Sequence, residues 1–464
     1  MGSKKALLIS TLFISLSLIL VGTYFYLSPS KYPDKLELLS LLNKQDFKKL
    51  DAVLMSHQAK YEKDRSNEKM VRFVFSTFGN SDPSLEKLLD NWVAEFPDSY
   101  AANLSRGIYL YNVGFEYRGY KYISKTKDEQ VDKMQSYLEK SSIDLIKATE
   151  LTPLPTSAYS YLMDIARTTS SKRASQNLLN KALSVNPTSF YIRATHLHTL
   201  QPKWGGSLEA MAEFIADTKK YNEQNEELIP LQGYLDYTKA NILSSRNQRK
   251  AALEYNNFSL RFGELSSYLT KRGINYYKLK DYEKALRDFT ASLKRWPQNE
   301  TVLAWRGSVY KKMKMYDEAI QDYNLAIKLS PYDSSNLKFR AYVFNKMEQY
   351  ASANEDFDKS TYYNPYNAGV YYSAGFNSLY KLNEYEKAEE YFKKAISIKP
   401  NNAKYWYTYV GAINMQKDCD GLVDGINSFL HVCATVKQKF CQKDKIAWGH
   451  SSLKLIETNN LCPS

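Results

Sequence analysis

Pro297, Pro331 and Pro365 stand 34 residues apart, and Pro400 follows 35 later. Gly273, Gly307, Ala341 and Gly375 recur in the same phase. So do Ala285, Ala319, Ala353 and Ala388, with Phe289, Tyr323, Phe357 and Phe392 four residues beyond each alanine. A period of this length, with a small residue in one half, an alanine and an aromatic in the other, and a closing proline, describes two helices joined by a turn. One such pair cannot bury its apolar face alone, so the copies must stack. The expected fold is all-α, a solenoid of antiparallel helix pairs. Its expected use is a binding surface ahead of a catalytic pocket.

The beat continues upstream in weaker form. Pro153 and Pro187 are 34 apart, Ala148 and Ala182 each precede one of them by five, and Ala252 lies 33 before Ala285. The chain then divides into a helical region with degenerate repeats over 46–225, a degenerate pair over 226–265, and clear copies at 266–299, 300–333, 334–367 and 368–401. The last copy carries one additional residue between Gly375 and Ala388, expected in the turn between its helices, where an insertion costs little. Residues 402–464 read as three further helices that cap the stack.

The phrases DYEKALRDFTASLKRWP, MYDEAIQDYNLAIKLSP, QYASANEDFDKSTYYNP and EYEKAEEYFKKAISIKP resemble the tetratricopeptide repeat family. That resemblance implies a right-handed superhelix whose concave groove, lined by the first helix of each copy, holds a protein or peptide partner, with neither catalysis nor a cofactor. The positions it assigns to the groove hold Thr270, Ile274, Tyr277 and Lys278, then Ala304, Ser308, Lys311 and Lys312. The third copy supplies Lys338, Tyr342, Asn345 and Lys346, and the fourth Tyr372, Phe376 and Tyr380. A basic, aromatic lining suits an extended acidic or tyrosine-tolerant peptide. The carboxylate clamp of some relatives wants Lys and Asn at the places of Lys338 and Tyr342, so that specificity does not carry over.

Residues 99–217 resemble a bacterial domain of unknown function, through Arg118-Gly119, the ATELTPLP segment from Ala148, and Pro202-Lys203-Trp204-Gly205-Gly206-Ser207. It implies no activity. Locally, Gly205 and Gly206 suit an abrupt turn, Ser207 a helix N-cap, and Trp204 a lid on that turn.

Arg272, Arg306 and Arg340 precede the small residue of the first helix, and Asp288, Asp322 and Asp356 precede the aromatic of the second. The fourth copy replaces both charges, with Ala374 and Tyr391. Arg and Asp are kept or lost together, which reads as a structural ion pair. Other chemistry is absent from the pattern: the five histidines do not form a metal or catalytic spacing, and no phosphate loop or nucleophile motif occurs. The alternatives to a protein scaffold are a cell-envelope factor for anionic lipid or wall polymer, and an enzyme with its site in the 99–217 region.

Sixty-three basic against 50 acidic residues give +13, but the signs are interspersed, which speaks against a nucleic-acid arm. After Lys4 and Lys5, residues 6–27 form a run of 22 uncharged, mainly apolar residues. At 1.5 Å per residue it spans about 33 Å, the thickness of a bilayer core. The expectation is an N-terminal transmembrane signal anchor in a bacterial envelope, N-terminus cytoplasmic, linker over 28–45, and body in the periplasm. Cleavage of that segment would leave the body secreted. Cys419, Cys433, Cys441 and Cys462 all lie in the last 46 residues, as suits an oxidising compartment. Antiparallel packing of the cap helices pairs Cys433 with Cys441 and Cys419 with Cys462.

Overall fold

The computed structural model describes residues 32–118, 126, 128–169, 172–416, 419–436 and 438–458, and the elements among them are helical. The expected membrane helix at residues 6–27 lies outside the described residues. Among those described, no helix is long and apolar enough to cross a membrane.

The expected linker over 28–45 contains a helix, α1 (Lys35–Asn43). Asp34 caps it by accepting from the Leu36 N–H, and Leu38, Leu41 and Leu42 are buried at helical spacing. Helices α2 (Phe47–Lys63), α3 (Glu68–Phe75), α4 (Ser84–Glu95), α5 (Tyr100–Arg118), α6 (Asp128–Glu150) and α7 (Thr156–Thr169) share one core with α1, in which Phe75, Phe78, Trp92 and Tyr100 are fully enclosed. Then follow α8 (Lys172–Val185), α9 (Phe190–Thr199), α10 (Leu208–Lys219), α11 (Tyr234–Ser245) and α12 (Arg249–Ser259).

The four copies are α13 (Ser266–Lys278) with α14 (Tyr282–Arg295), α15 (Glu300–Lys312) with α16 (Tyr316–Leu329), α17 (Ser334–Lys346) with α18 (Tyr350–Tyr363), and α19 (Ala368–Asn377) with α20 (Tyr385–Ile398). The small residue of each first helix is explained by its neighbour. A Cβ on Gly273 would lie 2.9 Å from the Phe289 ring, and one on Gly375 2.8 Å from Phe392. In the third copy Ala341 fills this place against Phe357, and both are fully buried.

The turn inside each pair is stereotyped. Lys280, Lys314 and Glu348 have φ of 67°, 63° and 60°. Each sits in a helix-ending motif whose closing bond runs back five residues: Asp281 N–H to Tyr276 O, Met315 to Tyr310, Gln349 to Phe344. Gln45 between α1 and α2, and Asn247 between α11 and α12, repeat it. In the fourth copy the extra residue does not enter the interhelical turn. It widens the last turn of α19 into a π-turn, Ser378–Leu382, and the closing bond becomes Glu384 N–H to Ser378 O.

Helices α21 (Ala403–Gln416), α22 (Cys419–Thr435) and α23 (Lys443–Glu457) end the stack. Cys433 and Cys441 are joined, with Cα atoms 5.4 Å apart, which ties the end of α22 to the approach to α23. Cys419 is also disulfide-bonded; Cys462, its expected partner, lies outside the described residues.

The start of the described chain docks between the first two copies. Tyr32 Oη donates to Arg295 O at 3.3 Å, the Lys35 N–H to Gln298 Oε1 at 2.9 Å, and Gln298 Nε2 to Asp34 Oδ1 at 2.9 Å. The Trp296 ring meets Phe73 edge-on at 5.2 Å. This clasp joins segments 263 residues apart.

Gly273→Ala should lower stability by about 1–3 kcal/mol, because the new methyl overpacks Phe289. Coupling it to Phe289→Leu should recover part of the loss in thermal or denaturant unfolding. Equal stability of Gly273→Ala and the parent would contradict the packing.

Candidate functional site

The first helices of successive copies touch one another and carry the residues assigned to the groove. Tyr277 on α13 meets Trp305 on α15 edge-on at 5.5 Å, and Lys278 Nζ lies 5.5 Å from the same indole centroid. One step on, Lys311 Nζ stands 5.8 Å from Phe339 and 5.6 Å from Tyr342, both on α17. At the far end Tyr372 on α19 stacks on Tyr405 of α21 at 5.2 Å, with Lys404 Nζ 4.4 Å above the Tyr372 ring. Cations held over aromatic faces in this way are attracted to the ring quadrupole. The row is therefore ordered before any ligand arrives.

Charge accumulates along it. Lys278, Lys312 and Lys346 are exposed, whereas Lys311 and Lys338 are half-buried. Burial, then repulsion from Lys312 and Lys346, pushes the Lys311 ammonium down to about 8. Burial also lowers Lys338, which lies over Phe339 at 4.7 Å, against an opposing pull from Asp333. At the fourth copy the lining becomes apolar: Phe376 and Tyr380 are exposed and 4.7 Å apart.

Not every assigned position is available. Thr270 Oγ1 is bonded to Ser292 Oγ at 2.8 Å, and Ser308 Oγ to Tyr323 Oη at 2.8 Å, both on the second helix of their own copy. Asn345 Oδ1 accepts from Asn377 Nδ2 at 2.8 Å, inside a chain of amides that also takes in Asn354. Asn275 and Asn377 occupy the same phase, three periods apart, with Val309 and Val343 between them. Each bonds an asparagine of the preceding pair, Asn275 to Asn256 and Asn377 to Asn354. Buried polar residues in phase with two valines were the available sequence signal.

Behind this row lie the guanidinium–carboxylate joints. Arg272, Arg306 and Arg340 each present two nitrogens to Asp288, Asp322 and Asp356, at 2.7–2.8 Å. The aspartates are almost wholly buried, with side chains 2%, 7% and 3% exposed, so the fork geometry compensates a real desolvation cost. Burial still holds the Asp322 carboxyl above its usual range despite Arg306. The joint also reaches the preceding pair: Arg272 Nη1 donates to Asn257 and Arg340 Nη1 to Asn324. Where the fourth copy lacks both charges, the Tyr391 hydroxyl donates to Asp358, which stands one period after Asn324.

The same joint occurs far upstream, where the sequence reading missed it. Arg106, just before Gly107, bonds Asp144 on α6 through two nitrogens at 2.8 and 2.7 Å and Asp90 on α4 at 3.1 Å. The Arg-Gly and Asp-Leu pairs are visible in the sequence, but they are 38 residues apart instead of 16.

Around Trp204 the expected turn is present. Gly205 has φ of 82°, a Cβ on Gly206 would fall 2.1 Å from Leu200 O, and Ser207 Oγ accepts from the Ala210 N–H. The Arg167 guanidinium covers the indole at 3.8 Å. Asp164 accepts from Arg167 Nε at 2.8 Å, lies 3.5 Å from His198 Nδ1, and is bonded to the Tyr111 hydroxyl. Burial opposes ionisation here, but His198 and Arg167 hold the Asp164 carboxyl well below its usual range. A carboxylate so strongly ionised and partnered ties helices together and is a poor proton acceptor. His196 points elsewhere, packed on Phe214 at 4.5 Å, and burial followed by Arg193 lowers it to about 4.

A double-mutant cycle on Arg340→Ala and Asp356→Ala should return a coupling of about 1–3 kcal/mol in unfolding free energy. Tyr391→Phe should cost about 1 kcal/mol through its lost bond to Asp358. Strict additivity of the first pair would contradict the joint.

Comparison with known proteins agrees with this architecture. The tetratricopeptide repeat family matches residues 268–299, 301–333 and 377–402. A domain of unknown function, DUF4034, matches 35–171 and 165–227, and so takes in α1 to α4 as well as the 99–217 region. No curated protein matches the chain. Among solved structures, YrrB, described as a TPR protein with an unusual peptide-binding site, is 24% identical, with 44% of this chain and 98% of that one covered and a TM-score of 0.35. The C-terminal part of a TPR repeat-containing protein from Cytophaga hutchinsonii is 20% identical, with coverage of 48% and 88% and a TM-score of 0.44. MamA from Desulfovibrio magneticus RS-1 is 21% identical, with coverage of 37% and 96% and a TM-score of 0.35. The chain, all-helical in its described residues, is a solenoid that carries tetratricopeptide repeats behind a DUF4034 domain.

Proposed function

We propose that the chain is a membrane-anchored, non-catalytic scaffold that holds an extended acidic peptide segment of a partner protein along the first helices of its repeats. The observation that carries this reading is the row of lysines resting on the rings of neighbouring copies: Lys278 on Trp305, Lys311 on Tyr342, Lys404 on Tyr372. Such a row presents regularly spaced cations beside flat apolar surface, and acidic side chains separated by aromatic or aliphatic ones complement it. The tetratricopeptide repeats, and the peptide-binding site named for YrrB, support the same class of partner.

The membrane part of the proposal rests on the apolar run at residues 6–27. It places the N-terminus in the cytoplasm and the body on the other side, where the disulfides of the cap are stable. Retention of the intact chain in membranes after alkaline extraction, with the body open to protease from the periplasmic side, tests it. Recovery of the body in the soluble fraction would point to cleavage.

Affinity for an acidic, tyrosine-containing peptide should fall as pH rises through about 8, where Lys311 loses its proton in the free protein. Binding should also draw a proton onto Lys311, detectable as a buffer-dependent heat in titration calorimetry. Lys311→Ala should weaken binding roughly fivefold, about 1 kcal/mol, and remove that buffer dependence. A combined change of Lys311, Lys312 and Lys346 to Ala should abolish capture of the partner while helix content and cooperative unfolding show that the chain still folds. Unchanged capture by that variant would contradict the site. Salt-sensitive binding to anionic lipid or wall polymer, with no protein captured, would favour the polymer-binding alternative.

A further inference from the structure

The row on the first helices changes character where it leaves the third copy. Helices α13, α15 and α17 carry three cations apiece, among them Lys278, Lys311 and Lys346. From Ala368 to Tyr380 there is no charged residue, and α21 has only Lys404, which is held over the Tyr372 ring. Lys381, the next cation after Tyr380, rests 5.3 Å from Tyr350 on α18. In place of cations stand large apolar side chains left open: Phe376 is 39% exposed, Tyr380 49% and Met415 50%. Met415 follows Tyr380 by 35 residues, the interval between Ala368 and Ala403 that begin α19 and α21, so the two share a phase. Gly411 holds the phase of Phe376. A Cβ on it would lie 3.6 Å from Tyr380 Oη, so α21 meets the tip of Tyr380 with no side chain between them. Burial, then the nearby hydroxyls of Tyr372 and Tyr407, raises the Tyr380 phenol. Tyr407 in turn packs edge-on against Trp448 of α23 at 4.9 Å.

We propose, resting on the reading of the lysine row as a peptide site, that this stretch is its apolar anchor subsite. The partner's segment carries, beyond its acidic stretch, a leucine, methionine or phenylalanine that docks against Phe376, Tyr380 and Met415. The surface joins the lysine row without a break. The Asn345–Asn377 bond ties α17 to α19, and the stack of Tyr372 on Tyr405 ties α19 to α21. Open aromatic rings beside a thioether, which adapts its shape, gain most from an apolar cover. A carboxylate placed there would give up water for cations that are already seated on rings. Two unlike halves also impose an order on the segment, because the reversed chain puts acid on apolar surface and the anchor among lysines. Neighbouring helices pack about 8–10 Å apart and an extended chain rises roughly 3.3 Å per residue. The anchor should therefore lie about three to six residues from the last acidic side chain.

The test is fluorescence anisotropy of the full chain with labelled peptides. They are an alternating Glu-Gly block, the same block with a Leu-Phe pair spaced from one end or from the other, and the pair on a Ser-Gly block. One order should bind about fivefold tighter than the acidic block alone, and the reverse order should show no gain. Met415→Gln should remove most of that gain and leave the acidic block's affinity as it was; Tyr380→Gln should remove it too. Helix content and melting should show that both variants fold. Lys311→Ala, by contrast, should weaken the acidic block with and without the pair. An equal gain from both orders, or a gain untouched by both variants, would overturn the anchor and leave the lysine row standing. Acidic-block binding indifferent to Lys311→Ala would remove the row, and the anchor with it. Binding of an N-acetylglucosamine tetramer that is lost in Tyr380→Gln, with no gain from the pair, would overturn the proposal in favour of a sugar platform.

Discussion

A two-helix unit with one apolar face has no stable existence by itself, and everything in this chain follows from how successive units cover one another. Inside a unit, closeness is set by a glycine or alanine facing a fully buried aromatic ring. Between units, hydrogen-bonding groups fix the angle: an arginine fork on the aspartate of its own pair, with one further nitrogen on the pair before it. Buried charges of this kind are expensive unless fully partnered, so they tolerate little sliding of one pair on the next. The lysine and aromatic row on the first helices inherits its spacing from these joints.

A stack covered by neighbours still has two ends. At the C-terminal end the chain adds α21 to α23 and ties the connection from α22 to α23 with the Cys433–Cys441 bridge. The other end is the clasp: α1 and its leading residues return to the link after the first repeat, where Trp296, Gln298 and Arg295 receive Phe73, Lys35 and Tyr32. Upstream helices and repeats thus become one closed body, with a polar cavity at the seam.

Much of this was legible in the chain itself. The period of 34 fixed the helix pairs, the paired loss of Arg and Asp at Ala374 and Tyr391 identified the joints, and clustered cysteines marked the cap. What stayed hidden has physical reasons. The left-handed turn residues are Lys280, Lys314 and Glu348, none a residue whose type announces that conformation. The one-residue insertion looks like a loop event in sequence, yet a π-turn in α19 absorbs it and leaves the turn geometry intact. The upstream Arg106–Asp144 joint is disguised by the longer helices α5 and α6. The clasp has no periodicity at all. Its one trace is that Trp296 precedes Pro297 where the other copies have Ser330, Asn364 and Lys399. The groove was legible as a pattern of types, but which members are already committed, as Thr270, Ser308 and Asn345 are, depends on partners that only the packed structure supplies.

The clasp makes the upstream helices and the repeats cover one another as successive units do, in a single closed body. Native-state hydrogen exchange of the Trp296→Ala chain tests it most directly. If the clasp unites the body, exchange should accelerate together in α1 to α3 and in α13 to α16, although residues 76–265 lie between them in the chain. Acceleration confined to the link around residue 296, with α1 to α3 as protected as in the parent, would contradict a closed body.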